Sequence, residues 1–298
     1  MNEEEDYARI QHMVESSQKG ILYGLGGLGD FLICLDVCSK NDIDLLFWIN
    51  GCPILQVCKN LAKVFKVNCY FYDCDEKLGT GKIDKFLDKV NSNILNGRVL
   101  SCYNNMHYEF PKIDFAPYKK NTIFDHLDEY KISTPNNYFV ICPQGSSFHT
   151  CERRIFYKRE FEYLVNLSYK NKLSPILIAS DSQISFYNEN QRCQVLQFDN
   201  FCGNQINIGN FLYIIYNAAF TISVDTFLKT LTGLMHKTTY MIKNRNENNV
   251  YHEYGIGRWD SVFIDPEKWK FITTHTFEEI IQIINKYNII GGKKIKVL

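Results

Sequence analysis

The sequence predicts an α/β protein built as two successive domains, each a parallel sheet covered by helices. Three observations predict it. Short apolar runs alternate with stretches of helical periodicity, as expected when strands are buried on both faces and linked by crossover helices. The alternation lapses over residues 103–135 and restarts at Tyr138. The length of 298 residues suits two domains of ordinary size. The division is placed at 1–135 and 136–298, with a linker at Ser133-Thr134-Pro135.

In the first domain, residues 7–18 read as a short polar helix. A strand over 21–25 runs into the stretch Gly24-Leu25-Gly26-Gly27-Leu28-Gly29-Asp30, and a helix follows over 30–40. Asp44-Leu45-Leu46-Phe47-Trp48-Ile49-Asn50 is a continuous apolar run, hence a strand buried on both faces. Pro53 is placed to open a helix reaching Phe65. A third strand is predicted over 68–72, a helix over 81–94 from the spacing of Ile83, Phe86, Leu87 and Val90, and a fourth strand over 98–102. The segment 103–135 reads as irregular, with one helical piece over 123–130.

In the second domain, strands are predicted over 138–142, 175–179, 194–198, 220–224 and 238–242. Helices are predicted over 158–170, 208–219, 226–235 and 277–287. The last is expected to pack back on the first domain. Residues 244–260 read as a long polar and aromatic loop.

Composition narrows the function. Hydrophobic residues are 45% and charged residues 22%, the profile of a globular protein with real cores. Lys+Arg and Asp+Glu both number 33, which argues against a large polyanion-binding surface but leaves room for a local basic groove. The acidic start Met1-Asn2-Glu3-Glu4-Glu5-Asp6 is the reverse of a signal peptide, and no uncharged apolar run has the length of a membrane span. The 11 cysteines are scattered without a C-x-x-C pair, which predicts reduced thiols in a cytoplasmic protein and no structural zinc.

The glycine stretch formally matches G-x-G-x-x-G, so a nicotinamide oxidoreductase is the first candidate. Two residues speak against it. The second strand ends Ile49-Asn50, where that fingerprint wants an acidic residue for the ribose. Asp30 sits at the helix N-terminus, where a pyrophosphate would bind and a carboxylate repels it. Gly26, Gly27 and Gly29 therefore read as a turn that presents Asp30, a suitable general base for an acceptor hydroxyl. Aspartate is also a common helix cap, and that reading stands beside the catalytic one.

The second domain carries features suited to a diphosphate. Gly145, Ser146 and Ser147 follow a strand and offer N–H and hydroxyl donors. Arg153, Arg154 and Lys158 lead into a helix, where cations are unfavourable unless an anion offsets them. Asp225 and Thr226 stand between a strand and the next helix, able to cap it and to reach a ligand.

In this order the motifs resemble those of the heptosyltransferase-type glycosyltransferases, over most of residues 20–243. The resemblance implies the GT-B fold, two facing Rossmann-like domains with an interdomain cleft. It implies inverting, metal-independent transfer with no cofactor beyond a nucleotide-diphosphate sugar as co-substrate. Asp30 maps onto the family's base. Ser146, Ser147 and the Arg153–Lys158 cluster map onto its diphosphate loop. Asp225 and Thr226 map onto its Asp-Thr-Gly motif, but Phe227 replaces the glycine and Thr230 stands where the family has histidine. Those departures point to a donor other than ADP-heptose.

The acceptor expected from the family is a lipopolysaccharide core saccharide, which would place the protein at the inner membrane surface. A protein hydroxyl and a hydroxymethylated DNA base are the alternatives. The Asn-, Lys-, Ile- and Tyr-rich composition suits a phage, whose DNA glycosyltransferase would work in the host cytoplasm with Lys119, Lys120, Arg245, Tyr251, Arg258 and Trp259 along the nucleic acid. A non-catalytic GT-B-like binding protein is the rival from another class.

Overall fold

In the computed structural model the chain divides into two compact units, Met1–Phe115 and Ala116–Leu298. The structure describes residues 12, 21–49, 55–73, 99–101, 120–145, 156–189, 191–197, 204–224, 226–242 and 272–289. The expected helix over 7–18 apart from residue 12, the expected helix over 81–94, Pro53 and the loop 244–260 lie outside the described residues.

The first unit contains strand β1 (Ile21–Gly26), helix α1 (Leu28–Asn41), β2 (Asp44–Ile49), α2 (Leu55–Phe65), β3 (Cys69–Asp73) and β4 (Val99–Ser101). The sheet is parallel, in the order β3-β2-β1-β4. Ile21 lies opposite both Asp44 and Val99, which fixes the register around the central strand. Leu45, Leu46 and Phe47 are buried, as their unbroken apolar run requires. Helix α1 buries Phe31, Leu32, Ile33, Cys34, Leu35, Val37 and Cys38, and the Phe31 ring meets Phe47 edge-on with centroids 4.9 Å apart. Gly24 belongs to β1 rather than to a turn. A Cβ there would lie 2.6 Å from the Cys34 sulfur and 2.9 Å from the Phe47 ring. Its glycine is needed so that α1 can close on the sheet.

The second unit opens with a 3₁₀ helix, Thr122–Tyr130, capped by the Asn121 side chain, which accepts the Ile123 N–H at 3.1 Å. Then follow β5 (Tyr138–Cys142), α3 (Lys158–Lys170), β6 (Ser174–Ala179), α4 (Asp181–Tyr187), β7 (Gln194–Gln197), α5 (Gln205–Asn217), β8 (Thr221–Ser223), α6 (Phe227–Leu234), β9 (Thr239–Ile242), β10 (Ile272–His275) and α7 (Phe277–Ile289). The parallel sheet runs β10-β9-β8-β5-β6-β7. Numbered within the unit this is 6-5-4-1-2-3, the doubly wound order of dinucleotide-binding folds. The first sheet, 3-2-1-4, has the beginning of the same order.

Strand β5 is buried along its whole length, and the Phe139 and Phe220 rings stack across it at 5.2 Å. A chain of buried hydroxyls fastens α6 to the sheet. Thr221 and Thr239 share a hydrogen bond of 2.8 Å, the Thr239 hydroxyl donates to Thr232 at 2.6 Å, and Thr232 donates to the Leu228 carbonyl at 2.8 Å. Each of these hydroxyls is therefore satisfied inside the core, where an unmade bond would be costly.

Sequence reading does not anticipate two elements. Helix α4 has only seven residues, too few to show periodicity. Strand β10, Ile-Thr-Thr-His, is a short polar edge strand. The closing helix α7 packs on α3 in its own unit, with Ile280 and Ile284 in that core and Phe277 against Phe156 and Tyr163. The division between units falls before the 3₁₀ helix, not after it at 135. The reason is packing: Phe124 and Leu127 are buried and the helix lies on α5. A Cβ at Gly209 would lie 2.1 Å from the Tyr130 ring. Among the described residues no helix is long and apolar enough to cross a membrane.

Gly209→Ala should therefore lower stability by about 1–2 kcal/mol, since overpacking costs more than the helix propensity gained. In a Tyr130→Ala background the same change should stabilise. Urea unfolding of the four-variant cycle measures the reversal of sign.

Candidate functional site

In doubly wound sheets, ligands gather at the carboxyl ends of the strands where the strand order reverses. The first sheet reverses between β1 and β4, the second between β5 and β8. Each reversal carries residues singled out in the sequence.

In the first unit, Gly26 ends β1, Gly27 is the extended N-cap of α1, and Gly29 and Asp30 lie in its first turn. The Gly27 N–H donates to the Asp30 carboxylate at 2.8 Å, and the Phe31 N–H donates to the Gly27 carbonyl at 3.0 Å. Asp30 is thus half-buried and engaged with the start of its own helix. This is the capping role, and it fixes the carboxylate at the carboxyl end of β1. A carboxylate has two oxygens and about four lone-pair sites, so capping and proton acceptance are compatible.

In the second unit the two strand ends are held together. Cys142 lies opposite Ser223, and the Val224 N–H donates to the Cys142 carbonyl at 3.2 Å. Thr226 is the N-cap of α6, its hydroxyl oxygen accepting the Leu228 N–H at 3.2 Å. The same hydroxyl lies 3.1 Å from that of Ser223 and 3.9 Å from the Cys142 sulfur, to which it donates. Gly145 is buried, three residues beyond the end of β5. So Gly145 and Thr226 leave neighbouring strands at the same reversal. Ser146, Ser147, Arg153, Arg154 and Asp225 lie outside the described residues.

The loop from β5 has a fixed base. The Phe156 N–H donates to the Pro143 carbonyl at 2.7 Å, and the Tyr187 hydroxyl donates to the Phe156 carbonyl at 2.6 Å. Lys158, the first residue of α3, does not behave as a spare cation. Its ammonium pairs with Glu189 at 2.6 Å and sits 5.3 Å from the centroid of Phe186. The hydrogen bond between them raises the Lys158 pKa and lowers that of Glu189. The anion that offsets this cation at a helix N-terminus is thus supplied by the protein itself, 31 residues on.

The departures in the late motif also have places. Phe227, the first residue of α6, stacks against Phe211 of α5 with centroids 6.3 Å apart. Thr230 is buried. Two residues not singled out in the sequence stand at this end of the sheet. Asp181 directly follows Ser180 at the carboxyl end of β6, the second strand of its unit, where doubly wound folds carry the acidic ribose ligand. Lys229 is 3% exposed in the first turn of α6; a lysine on a helix reads from sequence as solvated, so no local signal marks its burial.

The burial around β5 keeps its titratable groups neutral. Desolvation pushes the Cys142 thiol from 9.0 up to about 11, Cys193 from 9.0 up to about 12 and the Tyr138 phenol from 10.0 up to about 12. The six cysteines among the described residues, Cys34, Cys38, Cys58, Cys69, Cys142 and Cys193, are thiols rather than disulfides.

Two parallel units, each with a reversal of strand order, define a doubly wound, Rossmann-like α/β architecture. No family model and no curated protein matches the sequence. Among solved structures, the chain is similar to E. coli ADP-heptose lps heptosyltransferase II, with 9% identity, 91% of this chain and 98% of that chain covered, and a TM-score of 0.51. E. coli heptosyltransferase WaaC with ADP-2-deoxy-2-fluoro heptose aligns at 11% identity, 90% and 99% coverage, and a TM-score of 0.49. The glycosyl transferase family 9 protein from Veillonella parvula DSM 2008 aligns at 10% identity, 92% coverage of both chains, and a TM-score of 0.46. The likeness to the first is one of fold, and it bears out the α/β, Rossmann-like fold class expected of a GT-B heptosyltransferase-like chain.

The raised thiol and phenol values predict alkaline instability. The unfolded chain ionises these groups from about pH 9, whereas the fold holds their protons to pH 11–12. Their contribution is complete below pH 9 and is lost as pH rises towards 12. Urea midpoints should be level from pH 7 to about 8.5 and fall steadily at higher pH.

Proposed function

We propose that this chain is a glycosyltransferase that moves a sugar from a nucleotide-diphosphate sugar to an acceptor hydroxyl. The observation that carries the reading is the fold shared with the ADP-heptose lps heptosyltransferase, together with a carboxylate fixed at the β1 reversal. The first unit supplies the base and the second unit the donor site.

In this reading Asp30 takes the proton of the acceptor hydroxyl as that oxygen attacks the anomeric carbon. The bond from that carbon to the diphosphate oxygen breaks, and the nucleoside diphosphate leaves. One in-line displacement inverts the anomeric centre. Negative charge grows on the leaving diphosphate, so donors aimed at it stabilise the transition state more than the ground state. Arg153 and Arg154, the Gly145-Ser146-Ser147 segment and the α6 N-terminus capped by Thr226 fill that role without a metal, while Asp225 accepts from the ribose hydroxyls. Thr226 acts through the helix terminus it caps, since its hydroxyl oxygen already accepts Leu228 N–H. Lys158, paired with Glu189, braces α3 rather than binding phosphate. Phe227 and Thr230, in place of the glycine and histidine of the family, set a donor preference different from ADP-heptose.

A thermal-shift screen of nucleoside diphosphates and nucleotide-sugars should find one that raises the melting temperature. With that donor, Asp30→Asn should cut turnover about 10²–10⁴-fold, the usual worth of a general base. Asparagine can still accept the Gly27 N–H, so donor affinity should hold. Weakened donor binding with near-normal turnover would overturn the assignment. Arg153→Ala or Arg154→Ala should weaken nucleoside-diphosphate binding about 10–100-fold, as loss of a charge-assisted hydrogen bond implies. Unchanged affinity in both would remove the arginines from the donor site.

A further inference from the structure

We propose that the outer face of α2 is a docking surface for an anionic phospholipid bilayer, a property beyond the transfer reaction and independent of it. The helix is buried on one side through Val57, Cys58, Leu61, Ala62, Val64 and Phe65. Its exposed residues are Gln56, Lys59 and Lys63, and exposed Lys66 follows at its end. The spacing i, i+4, i+7 puts Lys59, Lys63 and Lys66 in one row over about 10 Å of helix axis.

No acid dilutes that row. The sequence has no Asp or Glu between Asp44 and Asp73. On the neighbouring helix α1, Asp36 is buried and pairs with Lys40 at 2.5 Å. Asp42, at the α1 C-cap, is the one exposed carboxylate from Asp30 to Lys66. None of the three lysines forms an ion pair among the described residues. The helix dipole favours cations in the last turn, which suits Lys63 and Lys66. It gives no reason for Lys59 in the middle of α2, nor for a face without the carboxylates that commonly balance exposed helical lysines.

The chemistry of the face selects the partner. Lysine is a compact, hydrated point charge on a flexible stem, suited to a diffuse array of phosphates. A single-stranded nucleic acid calls for aromatic side chains to stack on, or for arginine; the exposed face of α2 has neither. A helix that inserts into lipid needs its apolar face free, and that of α2 lies in the core. The surface therefore adsorbs by charge alone. Each lysine close to an anionic bilayer improves partition about 5-fold, so three improve it about 10²-fold, within the reach that salt allows the field.

Helix α2 runs back from the carboxyl end of β2, where Ile49 lies opposite Gly26 of β1. Its first turn is thus at the end of the sheet that carries Asp30. Under the function proposed above, docking through α2 brings that end of the first unit to an acceptor held in the bilayer.

The test sediments the full chain with vesicles of phosphatidylcholine alone, or with about one-third phosphatidylserine, at low and at physiological salt. The parent should partition onto the anionic vesicles, leave them as salt rises, and ignore the neutral ones. The triple variant Lys59→Gln, Lys63→Gln, Lys66→Gln should lose about 10²-fold in partition. A control triple, Lys131→Gln, Lys170→Gln, Lys172→Gln, removes the same charge from exposed positions of the second unit, and should lose less than about 5-fold. Parental partition in the α2 triple, equal losses in both triples, or no parental preference for anionic over neutral vesicles overturns the inference. Partition is read without donor or acceptor. A chain that transfers no sugar still tests the docking surface, and a chain that ignores lipid leaves the proposed transfer standing.

Single-stranded and duplex DNA oligonucleotides, titrated in the same buffers, test the competing partner. DNA binding that the α2 triple loses, in a parent with no preference for anionic vesicles, assigns the face to nucleic acid and overturns the lipid reading. The substituted positions are exposed, so the α2 triple should melt as the parent does. Should it not fold, the three single variants decide: each should lose about 5-fold, and parental partition in all three overturns the inference.

Discussion

Parallel pairing of β5 with β8 is the constraint on which the second unit depends. A parallel pair cannot be closed by a tight turn, so each strand must be followed by a crossover that returns the chain to the amino end of the sheet. From β5 the chain goes one way, through β6 and β7; from β8 it goes the other, through β9 and β10. The chain therefore leaves these two central strands towards opposite edges, at the end of the sheet where α6 begins. The interior is organised to hold those two strands in step. Cys142 faces Ser223, the Val224 N–H reaches back to the Cys142 carbonyl, and the threonine chain ties α6 to β8 and β9.

Much of this was legible from the sequence because parallel strands buried on both faces leave unbroken apolar runs. Asp44–Ile49 and Tyr138–Cys142 are of that kind, and their flanking helices followed from apolar spacing. What was not legible depends on partners distant in the chain. Strand β10 exists because β9 offers it an edge, Ile272 lying opposite Thr239; its own residues barely announce a strand. The 3₁₀ helix belongs to the second unit because of a glycine 79 residues beyond Tyr130, where the ring needs the space of a missing side chain. No local pattern carries that information.

The site divides in the same way. Asp30 and Thr226 stood out because a polar residue between a strand and a helix is a strong local signal, and both proved to cap the helices they precede or begin. Lys158 has a protein partner that its sequence neighbourhood does not announce. A cation at the first turn of a helix does call for an anion, but that anion can be a side chain as well as a ligand, and Glu189 answers the call. The rule predicted the charge balance correctly and left the identity of the partner open. Tyr187 escaped notice altogether, since a tyrosine beside Phe186 at the end of a short helix has only an apolar meaning until its hydroxyl is seen on the Phe156 carbonyl.

Gly24 links packing to chemistry in the first unit. Cys34, whose sulfur fills the space over that glycine, lies one helical turn beyond Asp30 and on the same face of α1. The contact is the fulcrum on which the helix rests, and the carboxylate is at the short end of the lever. Any side chain at position 24 would prise the fulcrum up and swing Asp30 away from the end of β1; under the function proposed above, a displacement of the base near 1 Å costs about 10²-fold in rate. The aim of the carboxylate is thus held by an absent methyl group that no substrate would ever touch.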